Sequence, residues 1–266
     1  MLWQAPAMLD LALVCRLEAA AVRGWPATIE HEQADGWLLR ATPGLDRGRS
    51  NNALTPCRAL AADEIEPAIE RVRAFAAEHR IRPGIQISPL ELHTPLLSAL
   101  DRRGWERQWP TVVLTGPTDY AAGGPEATLT IADHADPAWL RAWARCEPGR
   151  DVEAHATTVL RALGGRGCFA RLAEEAVAIA VPWQGLVGMF CVAVDPARRR
   201  TGLATQLITA LMARYPEAEL AYLQVEERNA AARSFYGGLG FSVAYRYCHL
   251  VGPGEGVGSG ASRPPL

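Results

Sequence analysis

Short apolar runs alternate with apolar stripes at helical spacing, and this pattern is clearest between residues 127 and 251. The run Val187–Val194 is nearly continuous and apolar, as expected of a strand buried on both faces of a sheet. From Thr201 to Arg214, apolar residues recur at helical spacing, which predicts an amphipathic helix that Pro216 ends. Further strands are predicted at 128–132, 168–172, 176–181, 221–225 and 241–251, and further helices at 137–146, 152–163 and 229–240. These elements predict a mixed α/β fold.

Two segments rich in glycine and proline divide the chain. Residues 117–126 predict a linker, and residues 252–266, which have almost no side chain to bury, predict a disordered tail. We therefore expect one domain over residues 1–116 and a second over residues 127–251. The first domain is expected to begin with a helix and not with a secretory signal, because its apolar start lacks a basic segment and is interrupted by charges.

The two predicted domains end in a similar way. Segment 85–87 (Ile-Gln-Ile) resembles segment 223–225 (Leu-Gln-Val), and a helix and a strand are predicted after each. Gly104-Trp105 aligns with Gly240-Phe241. An internal duplication explains these similarities, and a coincidence between two strand–helix–strand units is the alternative.

Composition and charge exclude several classes of protein. The net charge of -2 over 266 residues gives no electrostatic basis for nucleic acid as a partner. The 6 cysteines form no C-x-x-C pair, so we expect reduced thiols, no metal site and a cytoplasmic protein. No stretch approaches the ~20 apolar residues that a membrane span needs, so no membrane partner is expected. The oligomeric state does not follow from the sequence.

Positive charge is concentrated at the start of the helix that follows the buried strand. Arg198, Arg199 and Arg200 stand just before Gly202. A helix N-terminus presents unpaired N–H groups and the positive end of the helix dipole, and a glycine there lets the backbone approach a ligand closely. Neither G-x-x-x-x-G-K-[ST] nor G-x-G-x-x-G is present. The segment predicts a site for a phosphate-bearing cofactor, with a solvated arginine cluster as the alternative.

The same residues carry a resemblance to a known family. The run Pro196-x-x-Arg199-x-x-Gly202-x-Ala204 resembles the acyl-CoA signature of the GNAT (GCN5-related N-acetyltransferase) superfamily. A second signature of that superfamily resembles the later residues Asn229, Ala232, Tyr236 and Gly240-Phe241. The resemblance covers residues 127–251 and is weak before them. It implies a tandem protein with two GNAT-like domains, each a mixed, mostly antiparallel central sheet flanked by helices, of which the N-terminal one is degenerate.

The resemblance also implies acetyl-CoA as co-substrate and no metal. Val192 and Val194, at the end of the central strand, would offer backbone groups to the pantetheine arm. Asn229 would contact acetyl-CoA as well as cap its helix, although capping alone explains it equally well. The backbone N–H groups that would bind the pyrophosphate belong to the turn formed by Arg199, Arg200, Thr201, Gly202, Leu203, Ala204 and Thr205.

Two catalytic roles are implied less directly. Tyr236 would protonate the departing thiolate as a general acid, and a packed aromatic residue is the alternative. In some relatives a glutamate on this strand takes part in deprotonating the amine, but Gln224 stands at that position here. Glu226 is therefore the first candidate for the base. The first domain has no cofactor signature and carries Leu100 at the position that matches Tyr236, so it is expected to wall one side of the acceptor cleft. The polar segment 48–56 is interpreted as a solvated turn, and a place facing the acceptor cleft is the alternative.

The implied function is an acetyl-CoA-dependent N-acetyltransferase that acts on a primary amine of a small molecule or of a peptide. A non-catalytic acyl-CoA-binding or ligand-sensing protein on the same fold is the alternative, and a protein that binds a nucleotide in place of CoA is a third. Tyr236 favours the enzyme, because a pure binding protein has no need of a general acid. The acceptor, the acyl chain length and the pathway do not follow from the sequence.

Overall fold

A computed structural model describes residues 9–45, 48–120 and 129–253, which leaves residues 121–126 of the predicted linker and 254–266 of the predicted tail outside the described residues. The N-terminal half contains α1 (Leu11–Gly24), β1 (Ile29–Glu32), β2 (Leu38–Ala41), β3 (Asn52–Leu54), α2 (Ala62–Glu78), β4 (Gly84–Ile87), α3 (Thr94–Arg102) and β5 (Glu106–Gly116). The C-terminal half contains β6 (Leu129–Ala132), α4 (Pro137–Cys146), α5 (Val152–His155), α6 (Arg161–Leu163), β7 (Cys168–Leu172), β8 (Ala176–Trp183), β9 (Leu186–Val194), α7 (Leu203–Met212), β10 (Leu220–Glu226), α8 (Ala230–Gly238) and β11 (Ser242–Val251).

These elements form the predicted mixed α/β fold. A π-helical turn, Ala156–Leu160, joins α5 to α6, so the helix predicted at 152–163 is continuous. Asp136 and Asp151 begin α4 and α5 by accepting hydrogen bonds from backbone N–H groups of the first turn, as N-cap residues do. Among the described residues, no helix has both the length and the apolar character needed to cross a membrane.

All the described strands belong to one sheet, in the order β1-β2-β3-β4-β11-β5-β10-β9-β8-β7-β6. β5, the last strand of the N-terminal half, lies between β10 and β11 of the C-terminal half and is antiparallel to both. β11 in turn pairs with β4 of the N-terminal half. The two halves therefore share a continuous sheet, in which each contributes a strand to the other.

The strand order supports an internal duplication. On one side of the central β11–β5 pair lies β4 with β3 parallel to it, and on the other side lies β10 with β9 parallel to it. β4 is followed by α3 and β5, and β10 is followed by α8 and β11. The two halves are thus related by an approximate twofold arrangement about the centre of the sheet, and β6 is the strand without a counterpart.

The helices divide the core between the two faces of the sheet. α7 and α8 cover one face of the C-terminal half, where Leu207 and Tyr236 join the apolar cluster of Leu223 and Val225. α1 covers the opposite face, although it belongs to the N-terminal half, and its buried Leu17 packs in one cluster with Phe190. Because residues alternate between faces along a strand, Gln224 and Glu226 of β10 face away from α8.

Candidate active site

The sheet opens between β9 and β10. These parallel strands pair only as far as Gly188 and Tyr222, although β9 continues to Val194 and β10 to Glu226. A bulge in β9 against β8 places Cys191 at φ +50°, in the left-handed region. Beyond that point the side chains of β9, including the predicted cofactor residues Val192 and Val194, are partly exposed. The two strands therefore leave a cleft that exposes the end of β9.

The cleft leads to the N-terminus of α7, where the sequence predicts an anion site. Gly202 is the N-cap of α7 and has φ +87°, a conformation that favours glycine. A Cβ atom at Gly202 would meet open space, so the backbone angle and not a close contact requires the glycine. No side chain caps α7. The first N–H groups of Leu203, Ala204 and Thr205 are therefore available to a ligand.

The three arginines of the turn have different surroundings. Arg198 forms an ion pair with Glu175, and its carbonyl accepts a 2.6 Å hydrogen bond from the hydroxyl of Thr201. Arg199 donates a long hydrogen bond of 3.4 Å from Nε to the carbonyl of Val194. Arg200 takes part in none of the ion pairs found among the described residues, and it is exposed. Arg199 and Arg200 are therefore the arginines available to a phosphate.

Asp195, which the sequence analysis did not single out, fixes this turn. Its buried carboxylate accepts a 2.9 Å hydrogen bond from the N–H of Ala197 and a 2.5 Å hydrogen bond from Nε of Arg145. These two contacts, the backbone one first, lower the pKa of Asp195. The carboxylate thus stays charged and holds the start of the turn. An aspartate directly before a proline at the end of a strand is the signal that predicts such a cap.

Tyr236 lies on α8, and Asn229 is the N-cap of this helix. The side chain of Asn229 accepts a 3.0 Å hydrogen bond from the N–H of Ala232, which confirms the predicted cap. Tyr236 is 7% exposed, and its ring centroid lies 5.8 Å from that of Phe241. Burial raises the pKa of Tyr236, so its hydroxyl keeps its proton near neutral pH. No atom approaches a Cβ built at Gly237 or Gly238, so no close contact requires these glycines.

Glu226 lies at the end of β10, on the face opposite Tyr236. Its backbone pairs with Thr111, and its carboxylate, which is 33% exposed, accepts a 2.8 Å ion-pair contact from Nε of Arg228. The Oε1 atom of Gln224 accepts a 3.1 Å hydrogen bond from the hydroxyl of Tyr247. Tyr236 and the polar side chains of Gln224 and Glu226 therefore lie on opposite faces of the sheet.

A family model described as "Probable histone acetyltransferase Rv0428c C-terminal" matches residues 12–250. The chain belongs to this family. A Mycobacterium tuberculosis protein, "Probable histone acetyltransferase Rv0428c", is 30% identical over 130 residues, which is 49% of this chain and 38% of that protein. The chain thus spans well under half the length of that relative.

Solved structures show the same fold for this family member. A GCN5-related N-acetyltransferase from Kribbella flavida matches with a TM-score of 0.67 and 18% identity over 94% of this chain and 98% of that one. A tandem GNAT protein from the clavulanic acid biosynthesis pathway matches with a TM-score of 0.54 and 12% identity over 77% of this chain and 76% of that one. The predicted fold class is confirmed, and the fold is the one seen in these GNAT proteins.

A small polar cavity of about 10 Å³, which the sequence analysis did not predict, lies beside the opening in the sheet. It lies between α1 and strands of both halves, and its walls are Glu18, Ala21, Val22, Arg40, Arg49, Leu54, Gln86 and Gln224. Gln86 and Gln224 are the middle residues of the two similar tripeptides noted in the sequence. The fold thus brings one glutamine from each half into one cavity, as an internal duplication would.

Glu18 is the carboxylate of this cavity. It accepts hydrogen bonds from the hydroxyl of Tyr245 at 2.5 Å, from the hydroxyl of Ser88 at 2.7 Å and from Nε2 of Gln86 at 2.9 Å. Desolvation raises the pKa of Glu18 even though the Ser88 and Tyr245 hydrogen bonds oppose the rise. No signal in the apolar stripe of α1 distinguishes this glutamate from a solvated one.

The segment 48–56 is not the solvated turn that the sequence suggested, and that interpretation is wrong. Ser50 and Asn52 are buried, and the Ser50 hydroxyl accepts a 3.1 Å hydrogen bond from Nε1 of Trp25. A Cβ atom at Gly48 would overlap the ring of Trp109. The glycine therefore lets this aromatic ring pack directly on the backbone, and the polar side chains that follow are enclosed between the halves.

Replacing His249 by Gln is expected to make stability less sensitive to acid. His249 is buried, and burial followed by the charges of Arg49 and Arg40 lowers its pKa from 6.5 to about 3. In the unfolded chain His249 binds a proton near pH 6.5, whereas in the folded chain it does so only near pH 3. Between these two pH values the unfolded state binds more protons, so a falling pH favours unfolding. The slope is at most about 1.4 kcal/mol per pH unit. Urea unfolding across this range should show a steeper loss for the wild type, and parallel curves would contradict the prediction.

Proposed function

We propose that this chain is an acetyl-CoA-dependent N-acetyltransferase that acetylates a primary amine of a small molecule or of a peptide. The observation that carries the proposal is the cleft between β9 and β10, which leads to the uncapped N-terminus of α7 beside Arg199 and Arg200. A thioester with a phosphate-bearing tail fits a cleft of this kind followed by an anion site. The family description and the GNAT fold support the same class of reaction.

The proposal assigns a role to each predicted cofactor residue. The backbone at Val192 and Val194, on the exposed end of β9, would hold the pantetheine arm. The α7 turn from Arg199 to Thr205 would hold the pyrophosphate through its N–H groups, with the two arginines adding charge. Asn229 caps α8 and would contact the same ligand. When bound, acetyl-CoA supplies an activated acetyl thioester.

Acetyl transfer forms an N–C bond and breaks a C–S bond, so the amine must lose a proton and the sulfur must gain one. Tyr236 keeps its proton at neutral pH because burial raises its pKa, and it would deliver that proton as general acid. Glu226, on the opposite face of the sheet, is the base proposed from the sequence. A cytoplasmic location is part of the proposal, and it is supported by 6 free cysteines.

Titration calorimetry with acetyl-CoA tests the proposal. We expect one site per chain and a loss of affinity of about a hundredfold or more in the double variant Arg199→Ala, Gly202→Glu, because the change removes one phosphate contact and adds a like charge at φ +87°. The matched control is Arg102→Ala, Gly104→Glu, which changes an exposed arginine and a glycine of positive φ in the N-terminal half. It should bind like the wild type.

Two outcomes would contradict this proposal. If acetyl-CoA does not bind to the wild type, it is excluded as the co-substrate. The arginine turn would then be a solvated cluster or an anion site for another ligand. Binding without any amine-dependent release of free thiol would instead favour a non-catalytic acyl-CoA-binding protein.

A further inference from the structure

The segment between β9 and α7 is held in place by two residues from elsewhere in the chain. Arg145, on α4, donates from Nε to the carboxylate of Asp195 at 2.5 Å. Glu175, in the turn between β7 and β8, forms an ion pair with Arg198. Its carbonyl also accepts a 2.8 Å hydrogen bond from the N–H of Asp195. Arg145 and Glu175 therefore fix both ends of the short stretch that precedes the arginine turn.

The contact with Arg145 is the one on which this stretch depends most. The side chain of Asp195 is 8% exposed, and that of Arg145 is 55% exposed. The Asp195 carboxylate also accepts from the N–H of Ala197, and its carbonyl accepts from the N–H of Arg198 at 2.8 Å. A buried carboxylate that loses its cationic partner is destabilised. Loss of Arg145 should therefore disturb the backbone of the segment.

The N-terminal half contains the same kind of segment. Residues 53–58 are Ala-Leu-Thr-Pro-Cys-Arg, and residues 193–198 are Ala-Val-Asp-Pro-Ala-Arg. The first segment leads from β3, which is parallel to β4, into α2. The second leads from β9, which is parallel to β10, into α7. The two halves therefore offer a comparison between a helix start with the cofactor signature and one without it.

At the start of α2, a carboxylate of the helix itself occupies the place that an anionic ligand would take. Glu64, the third residue of α2, accepts a 2.7 Å hydrogen bond from the N–H of Ala61. Arg58, the counterpart of Arg198, donates to both carboxylate oxygens of Glu64, at 2.8 and 2.7 Å. The arginine and the positive end of this helix are thus satisfied from within.

The start of α7 differs in both respects. Its third residue is Thr205, which carries no carboxylate, and no side chain caps the helix. Arg198 pairs with Glu175 of the β7–β8 turn, whereas Arg58 pairs with a residue of its own helix. The positive end of α7 is therefore left to a ligand, and the arginine that could have been joined to an internal anion there is held by Glu175.

We propose that Arg145 and Glu175 are positioning residues for acetyl-CoA. By holding Asp195 and Arg198, they fix the backbone that binds the pyrophosphate and keep the start of α7 open to it. The inference rests on the proposed N-acetyltransferase function, and it adds two residues that act on the ligand only through this segment.

Calorimetry with acetyl-CoA tests the part played by Arg145. We expect Arg145→Gln and Asp195→Asn each to weaken binding about tenfold or more. The double variant should bind no more weakly than the weaker single variant, because both changes break the same contact. Arg145→Lys, which keeps the charge, should recover part of the affinity. The control Arg141→Gln changes an exposed arginine one turn earlier on α4 and should bind like the wild type.

Two further variants test Glu175 and the open helix start. Glu175→Gln removes the ion pair with Arg198 but keeps the backbone carbonyl, so it should weaken acetyl-CoA binding less than Asp195→Asn does. Thr205→Glu gives α7 the carboxylate that α2 has at its third position. It should bind acetyl-CoA about tenfold or more weakly than Thr205→Gln, which is similar in size and neutral.

Kinetics separate a positioning role from general structural damage. In Arg145→Gln, KM for acetyl-CoA should rise, while kcat at saturating acetyl-CoA stays within about threefold of the wild-type value. Thermal melting checks that each variant is folded at the assay temperature. If Arg145→Gln is not folded, Arg145→Lys and Glu175→Gln, which change the same contacts more mildly, provide the test.

Three outcomes overturn the inference. They are unchanged acetyl-CoA affinity in the Arg145 and Asp195 variants, additive losses in the double variant, and a fall in kcat as large as the loss of affinity. Each leaves the proposed function in place, because the wild type still binds acetyl-CoA. Failure of the wild type to bind acetyl-CoA overturns both proposals at once.

Discussion

Replacing Tyr236 by Phe is expected to lower kcat about a hundredfold while acetyl-CoA binds as tightly as before. A positioned general acid contributes roughly two to four orders of magnitude to a rate. The change removes only the hydroxyl, because a phenylalanine ring keeps the packing against Phe241, whose centroid lies 5.8 Å away. Loss of rate without loss of affinity would show that the hydroxyl acts only after the substrates are bound.

Steady-state kinetics combined with calorimetry measure the two quantities separately. The matched control is Tyr120→Phe, because the Tyr120 hydroxyl donates a 2.7 Å hydrogen bond to the carbonyl of Leu239 just beyond α8. That variant perturbs the same helix without touching the proposed acid, so it should keep most of the rate. If Tyr236→Phe turned over like the wild type, Tyr236 would be a packed aromatic residue and another group would protonate the sulfur.

Replacing Glu18 by Gln is expected to lower kcat/KM for the acceptor about a hundredfold and to change its pH dependence. Glu18 and Gln224 both line the polar cavity beside the opening in the sheet, so we propose the Glu18 carboxylate, as an alternative to Glu226, as the base that takes the proton from the amine. Because desolvation raises the pKa of Glu18 above 4.5, activity should rise with pH through that raised value. The glutamine variant should lack this rise, and Glu18→Asp should recover part of it.

The other titratable groups around Glu18 do not produce the same rise. Burial raises the pKa of the phenols of Tyr222 and Tyr245, which keeps both protonated over this range. Burial, followed by contact with Cys15, raises the pKa of the Cys57 thiol to about 12. Glu226→Gln is the decisive comparison, since Glu226 is the base proposed from the sequence. If the rise disappears in Glu226→Gln and persists in Glu18→Gln, Glu226 is the base and Glu18 has no part in proton transfer.

Local patterns in the sequence predict one side of the site. The apolar run of β9, the arginine turn and Gly202 lie within a short stretch of chain, and the structure places them at one end of a cleft. The signal is strong because a buried strand and a helix N-terminus each have a local signature. The capping role of Asn229 is likewise predicted, because an N-cap depends only on the residues at the start of its own helix.

The other side of the site is not local, and the sequence does not reveal it. Glu18 lies on a helix, Arg49 in a short polar segment and Gln224 on a strand, and only the tertiary fold brings them to one cavity. Each of these side chains, taken alone, resembles a solvated polar residue. The polar segment 48–56 is the clearest case, because its sequence suggests a solvated turn, whereas Gly48 packs against the distant ring of Trp109 and Ser50 and Asn52 are buried. Hydrophobic periodicity carries no information about contacts of this kind.

The exchange of β5 and β11 between the halves has a consequence for how this chain comes to be made. Gly84 of β4 pairs with Val251 of β11, so the middle of the sheet joins segments that are far apart in the chain. Contacts of such long range slow folding, and until they form the exposed strand edges of β4 and β5 invite association with other chains. During synthesis on the ribosome, β4 and β5 cannot pair with β11 until this last described strand has emerged. The two halves then acquire their final stability together and not one after the other.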